Sequence, residues 1–438
     1  MAIRRPLLIT LLAPLLAFGA TLLLISLLNR SSAPPAPVSG DASTADGRST
    51  DEQIRSLQAA LASNPDQPNA EAALGNALLQ KVRENGDPRN YVAAEAAFKR
   101  ALDQEPRNAT ALAGMGTLAL GRHDFRTGLA YGERARAVAP DVVRFYGIVV
   151  DAQVELGRYR EGERTLQRMI DRKPNLASYA RVSYLRELHG DLAGALEAMR
   201  LAVSASGGAP ENVAYVQTLL GNLELNRGHT HAAERAYRLA LANFPRYGPA
   251  SAGLARAAVS RGDLETAIDR YRALVARLPL PEHVIALGEA ELAAGRHDAA
   301  KRDFELVRIE RGLYERSGVN LDLELALFEA DHGSQRRAVN LARAAWSSAP
   351  SVRSADALGW ALTRAGRPDA GLELAQQALR LGSRDAQFLY HAGMSARATG
   401  RANLARRYLA RSLALNPRFS PLFAQRARRA METLGGGK

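Results

Sequence analysis

Pro106, Pro140 and Pro174 stand 34 residues apart, and Pro245 to Pro279 repeats the interval. A fixed period of that length means that one small helical unit recurs and buries its apolar face on its neighbours. The 438 residues are therefore read as an array, and the two or three globular domains that length alone suggests do not apply. Inside each period the residue types follow from packing. Small residues recur where two helices cross, glycine where the chain reverses, and proline where the second helix stops. Hydrophobic residues make up 47% of the chain but aromatic residues only 6%. That balance fits helices packed closely through alanine and leucine, and it does not fit a large sheet core.

The units can be followed one by one. Residues 109–140 carry Gly116, Phe125, Gly128 and Ala135, and 144–174 carry Gly157, Tyr159, Gly162, Leu166 and Met169. Residues 214–245 carry Gly221, Gly228, Ala233, Tyr237 and Ala240, and 248–279 carry Gly262, Leu264, Ala267 and Tyr271. Residues 281–310, 351–381 and 386–417 repeat the pattern, and 177–205 and 319–350 repeat it more weakly. The first full unit, 70–106, holds about seven extra residues around 81–91, which predicts longer helices or a longer loop. Residues 50–65 read as a lone capping helix with Thr50 or Asp51 at its N-cap, and the basic, amphipathic stretch 418–434 reads as the closing cap. The irregular stretches 204–211 and 308–318 are expected to be connections where the superhelical pitch changes.

Ahead of the array, residues 7–28 form an uncharged apolar run. At 1.5 Å per residue it reaches about 33 Å, enough for a bilayer core. Arg4 and Arg5 precede it and Arg30 follows. The charge rule predicts a cytoplasmic segment at 1–6, a single-pass signal anchor at 7–28, and everything beyond it outside. A cleaved signal, cut near the small residues at 31–33, is the alternative and would make the protein periplasmic or secreted. Residues 29–49 are rich in Pro, Ser, Ala and Gly and read as a flexible tether of about 25 Å r.m.s. reach. The folded region is expected at 50–435. The chain has no cysteine, which excludes disulfides, thiolate metal sites, cysteine nucleophiles and an acylated lipoprotein anchor.

The pattern resembles that of the bacterial exported or membrane-anchored tetratricopeptide-repeat proteins over residues 51–435. Leu188-His189-Gly190-Asp191, Phe328 to Gly333 and Phe388 to Gly393 are similar to one uncharacterised set of them. The resemblance implies an all-α, superhelical solenoid of about ten helix–turn–helix repeats, preceded here by the transmembrane helix. It implies protein–protein scaffolding at an inner membrane, with the solenoid on the outer side, and no reaction. The concave groove of such a solenoid is lined by set positions of the first helix of each repeat. Here these include Asp356, Trp360, Tyr390 and Arg397 late in the chain and, ahead of them, the group Arg144, Asp151, Tyr215, Thr218, Asn222, Asn226, Arg256 and Glu289. Hydrogen-bonding side chains one turn apart suit an extended peptide whose backbone amides need partners, so this group is expected to bind a protein or peptide. A clamp for a C-terminal carboxylate is not expected, because Asn222 fits one of its elements while Thr218 and Gly253 break the rest.

The alternative is a small-molecule- or glycan-binding, or enzymatic, accessory protein of the cell envelope. It needs convergent acid, base or metal groups, and the sequence offers none. His229-Thr230-His231 is the only H-x-H; with Glu234 as its sole further donor it reads as a polar turn. Gly121-Arg122-His123-Asp124 and Gly295-Arg296-His297-Asp298 read as the same inter-helix turn used twice. No phosphate loop, zinc-protease, nucleophile-elbow or dinucleotide fingerprint occurs. No catalysis, cofactor or metal is expected. The net charge of +13 comes mostly from arginine, read as scattered over a solvated convex face. With no interleaving of basic and aromatic residues, nucleic acid is not expected as a partner.

Overall fold

The computed structural model describes residues 49–207 and 210–435. The short N-terminal segment, the apolar run at 7–28 and nearly all of the tether lie outside the described residues. Among the described residues no helix is long and apolar enough to cross a membrane. Those residues form twenty-two helices and no strand. Helix α1 (Thr50–Ser63) caps the start. Ten hairpins follow: α2 and α3 (Pro68–Asn85, Arg89–Gln104), α4 and α5 (Ala109–Gly121, Phe125–Val138), α6 and α7 (Val143–Glu155, Tyr159–Arg172), α8 and α9 (Leu176–Leu188, Leu192–Ser204), and α10 and α11 (Pro210–Asn226, Thr230–Asn243). They continue with α12 and α13 (Gly248–Arg261, Leu264–Val275), α14 and α15 (Pro281–Ala293, His297–Arg316), α16 and α17 (Asp322–His332, Gln335–Ser348), α18 and α19 (Val352–Arg364, Pro368–Ala378), and α20 and α21 (Ala386–Ala398, Ala402–Leu415). Helix α22 (Phe423–Gly435) closes the array. Both ends are capped, and buried side chains run continuously between them, so residues 49–435 hold a complete core of their own.

Local chemistry sets each hairpin. A left-handed glycine breaks the first helix, as at Gly190 with φ +77°. The aspartate after it then caps the second helix: the Asp191 carboxylate accepts from the Gly194 N–H at 2.9 Å, satisfying one of the orphan donors of the new helix. Across the crossing, one ring fills the space left by two glycines. Tyr237 lies so close over Gly221 and Gly253 that a Cβ at either would sit 2.5 or 2.4 Å from it. Phe98 does the same over Gly75 and Gly114.

The solenoid winds tightly enough for one superhelical turn to rest on the next. The Asn320 N–H donates to the Arg122 carbonyl at 2.9 Å, and the His123 ring nitrogen Nδ1 meets the Asn320 carbonyl at 2.7 Å. The Val352 N–H donates to the Tyr159 hydroxyl oxygen at 2.8 Å. The Asn416 amide donates to the Leu225 carbonyl at 2.8 Å across 191 residues, and the Tyr314 hydroxyl to the Gly86 carbonyl at 3.3 Å across 228 residues. Gly157 and Gly190 face the other turn so closely that a Cβ on either would meet the carbonyl oxygen of Pro350 or Gly382. Separations of that size correspond to roughly six repeats per superhelical turn.

Three expectations need correction. The first N-cap is Ser49, neither Thr50 nor Asp51: its hydroxyl accepts from the Glu52 N–H while Glu52 accepts from the Ser49 N–H, a reciprocal box that the sequence shows as Ser followed three residues on by Glu. The stretch from 308 is no loose connection up to 316, because α15, 20 residues long in all, continues through it. No proline stops it, Gly312 stays helical, and Tyr314, buried against the first turn, holds the extra length in place. The extra residues of the first unit likewise lengthen a helix, α2, to 18 residues. Finally, the two Gly-Arg-His-Asp stretches are out of register by two residues. In the second, Gly295 is the left-handed residue and His297 begins α15. In the first, Gly121 still belongs to α4 and His123 itself takes the left-handed conformation, φ 58°, where its ring is tied to the opposite turn.

Candidate functional site

The concave faces of the two turns bound a cavity of about 270 Å³. Its wall is built from the first helices of successive repeats, which the solenoid sets side by side. Of the eight groove residues expected to bind a partner, Asp151, Tyr215, Thr218, Asn222 and Arg256 line it. Arg144, Asn226 and Glu289 do not. The Arg144 guanidinium covers the Phe145 ring at 5.2 Å. Asn226 donates to Glu187 at 3.0 Å. Glu289 meets the His332 imidazole at 3.0 Å, and that ring is stacked on Phe304.

Within the cavity several of these side chains already hold one another. Arg181 on α8 grips Asp151 on α6 through Nε at 2.7 Å and a second guanidinium nitrogen, a two-pronged, charge-assisted contact. The Tyr184 hydroxyl donates to Glu155 at 3.0 Å. The Thr218 hydroxyl turns back to the Ala214 carbonyl of its own helix at 2.7 Å. The Asn222 side-chain oxygen accepts from the Tyr237 hydroxyl at 2.8 Å and from Arg256 Nη2 at 2.6 Å. Tyr215, Thr218 and Asn222 share one face of α10 by their spacing of three and four. That face lies between Arg181 on α8 and Arg256 on α12.

Three features leave the site open to a ligand. The Arg256 Nε is buried with no hydrogen-bond partner, and its one bonded neighbour is a neutral amide oxygen. Burial raises the Tyr215 and Tyr247 hydroxyls well above the ordinary tyrosine range, so both are donors at any physiological pH. Burial also drops the His283 imidazole to about 4 and lifts the Glu282 carboxyl to about 7. At neutral pH the cavity therefore holds an uncharged histidine near the Arg256 charge and, beside Glu324, a partly protonated acid. On the opposite turn, Arg353 faces the Glu155 and Glu324 carboxylates.

The sequence did not single out Arg181, Tyr184, Glu282, His283 or Arg353 as lining residues. Arg181 and Tyr184 sit on the inner face of a first helix, so the repeat register could have found them had that unit matched the pattern better. Glu282 and Arg353 come from the second turn, and no local pattern marks them. The H-x-H turn lies apart from the cavity, with His229 Nδ1 bound to Glu224 at 2.8 Å.

The family description "Tetratricopeptide repeat" matches residues 150–210, 218–280, 253–308 and 357–418. No curated protein matches the chain. Among solved structures, the APC/C hetero-tetramer Cut9–Hcn1 is similar at 17% identity, covering 88% of this chain and 84% of that one, with a TM-score of 0.40. The human IFIT1 dimer with PPP-AAAA is similar at 17% identity, over 80% of this chain and 73% of that one, TM-score 0.39. A tetratricopeptide repeat protein from Parabacteroides merdae ATCC 43184 is similar at 16% identity, over 60% of this chain and 99% of that one, TM-score 0.35. The ten hairpins, their crossing glycines and the family match agree: the chain is a tetratricopeptide-repeat protein.

Proposed function

We propose that the protein is a non-catalytic scaffold of a bacterial cell envelope, held at the inner membrane by residues 7–28 with its solenoid on the outer side. In this reading a segment of a protein partner enters the concave channel. The observation that carries it is an unpaired donor in the wall of that channel. Arg256 keeps a buried Nε–H without an acceptor, beside the cavity-lining residues Tyr215 and Asn222. A buried donor left unpaired costs about 1–3 kcal/mol, which a carbonyl or carboxylate arriving from a peptide recovers. The resemblance to exported repeat proteins supports the location and a role without catalysis.

The experiment is capture from membrane and envelope extracts with residues 49–438 as bait, run beside an Arg256→Ala bait whose helicity is checked by circular dichroism. The expected result is a discrete partner whose recovery falls at least about tenfold on the variant, the effect of losing one charge-assisted hydrogen bond. Equal recovery on both baits would put the binding surface outside the channel. A second reading is favoured by the volume alone, since about 270 Å³ is close to the lower end of small-molecule sites. Binding of a small organic acid with no captured protein would select it.

A further inference from the structure

The positive charge expected to be scattered along the array is concentrated at one end. Residues 49–363 hold forty lysines and arginines against thirty-nine acids, which is near neutrality, whereas 364–435 hold thirteen arginines against four acids. All thirteen are exposed. Their pairing is thin. Arg401 meets Asp369 only at 3.9 Å, both largely in solvent, and Arg380 and Arg428 settle on the backbone carbonyls of Gln377 and Pro417. Earlier repeats behave differently: Arg100 pairs with Glu71 at 2.6 Å and Arg181 with Asp151.

The last two helices show how the face is assembled. Helix α22 buries Phe423, Ala424, Ala427 and Ala430 against the preceding repeat, which turns Arg426, Arg428 and Arg429 outward. Arg406 on α21 donates to the Leu434 carbonyl at the far end of α22, so the two helices run antiparallel with residue 406 level with 434. Five residues on, Arg411 is level with Arg429. Arg407 lies one turn from Arg411 on the same side of α21. Among the described residues Arg407, Arg411 and Arg429 make no hydrogen bond or ion pair, so no contact there requires them to be arginine.

We propose that this C-terminal face docks on an anionic bilayer, its guanidiniums engaging lipid phosphates. A planar, two-pronged guanidinium matches a phosphate, and a dense anionic plane suits a face spread over several helices. The choice of a bilayer rests on the tether reading above, which holds residue 49, the start of the array, within about 25 Å of the headgroups and so raises the effective concentration of the rest of the chain beside them. Single-stranded nucleic acid fits less well, because the face offers arginine without exposed rings for bases to stack on.

The test is flotation of residues 49–438, which lack the apolar run, with vesicles of phosphatidylcholine alone or with added phosphatidylglycerol. The wild-type protein should float only with the anionic vesicles, and should release as salt rises well above about 0.1 M. Each arginine is worth about fivefold near such a surface, so Arg407→Ala, Arg411→Ala and Arg429→Ala together should weaken partitioning about 100-fold while leaving the melting temperature unchanged. No flotation at low salt, undiminished flotation of the triple variant, or tighter binding to duplex DNA or an acidic protein measured in parallel would each overturn the proposal. Carbonate extraction of the full chain from membranes separates the two readings. A full chain that washes off while residues 49–438 still float would remove the tether and leave the docking face standing.

Discussion

Replacing Gly190 by alanine should part the two superhelical turns, expand the molecule, and lower its stability by more than 3 kcal/mol. Two costs combine. Gly190 has φ +77°, where an alanine costs about 1–2 kcal/mol. The added Cβ would also lie 2.3 Å from the Gly382 carbonyl oxygen, a backbone atom on the other turn that cannot rotate out of the way. Gly157 presents the same geometry, with φ +72° and the Pro350 carbonyl oxygen at 2.3 Å, next to the Tyr159–Val352 hydrogen bond. Gly366 and Gly400 supply the control. They occupy the same kind of turn at φ +76° and +74°, with nothing within 4 Å of the added atom. Alanine at either should cost only the conformational term and leave the radius of gyration unchanged. Small-angle scattering and thermal unfolding of the four single variants separate the clash from the strain. Equal effects at all four positions would show that the turns do not press on each other.

Tyr237→Ala should cost about 3–5 kcal/mol, the range for truncating a fully buried ring, and should abolish ligand capture as well. The ring is 0% exposed and fills the gap above Gly221 and Gly253, so its loss leaves a cavity that two glycines cannot close. The same residue reaches the channel: its hydroxyl, pushed up to about 12 by burial, donates to Asn222, which in turn accepts from Arg256. Tyr237→Phe divides the two roles. It keeps the packing, should cost only about 1 kcal/mol for the lost hydrogen bond, and should still weaken capture, because Asn222 is then free to turn and Arg256 loses a fixed anchor. Urea unfolding beside the capture assay reads both effects. Wild-type capture by Tyr237→Phe would show that Asn222 does not position Arg256.

How much of this was legible in the sequence follows from which interactions are local. The ten hairpins were legible because each glycine, aspartate and crossing ring acts inside one period, as at Gly190-Asp191 or Tyr237 with Gly221. Repeat register likewise placed Tyr215, Thr218, Asn222 and Arg256 on the concave face. What it could not give is closure of the superhelix, since small rotations per repeat add up over some 190 residues before Gly190 meets Gly382. The partners arriving from the second turn, such as Glu282 and Arg353, were invisible for that reason. The misreading at 308–316 had another cause: without proline a helix continues, even through Gly312, which keeps its helical conformation, and the expected connection was inferred from a missing stop. The apparent twin at residues 121–124 failed because identical letters do not fix register. There His123 carries the left-handed turn that glycine carries elsewhere, and the contact to Asn320 holds it.

The central claim is that successive turns rest on each other and enclose the channel, and the absence of cysteine makes it directly testable. In the double variant His123→Cys, Asn320→Cys, the two introduced thiols are the only ones present, at positions in contact across the seam: the His123 ring meets the Asn320 carbonyl, beside the backbone hydrogen bond from Asn320 to Arg122. Mild oxidation of residues 49–438 carrying both should give an intramolecular disulfide, read as faster migration on a non-reducing gel and loss of maleimide-reactive thiol, at protein concentrations low enough to exclude dimers. Two thiols that stay free under oxidation, in a variant with wild-type helicity, would mean that the turns stand apart in solution, and the enclosed channel would have to be abandoned.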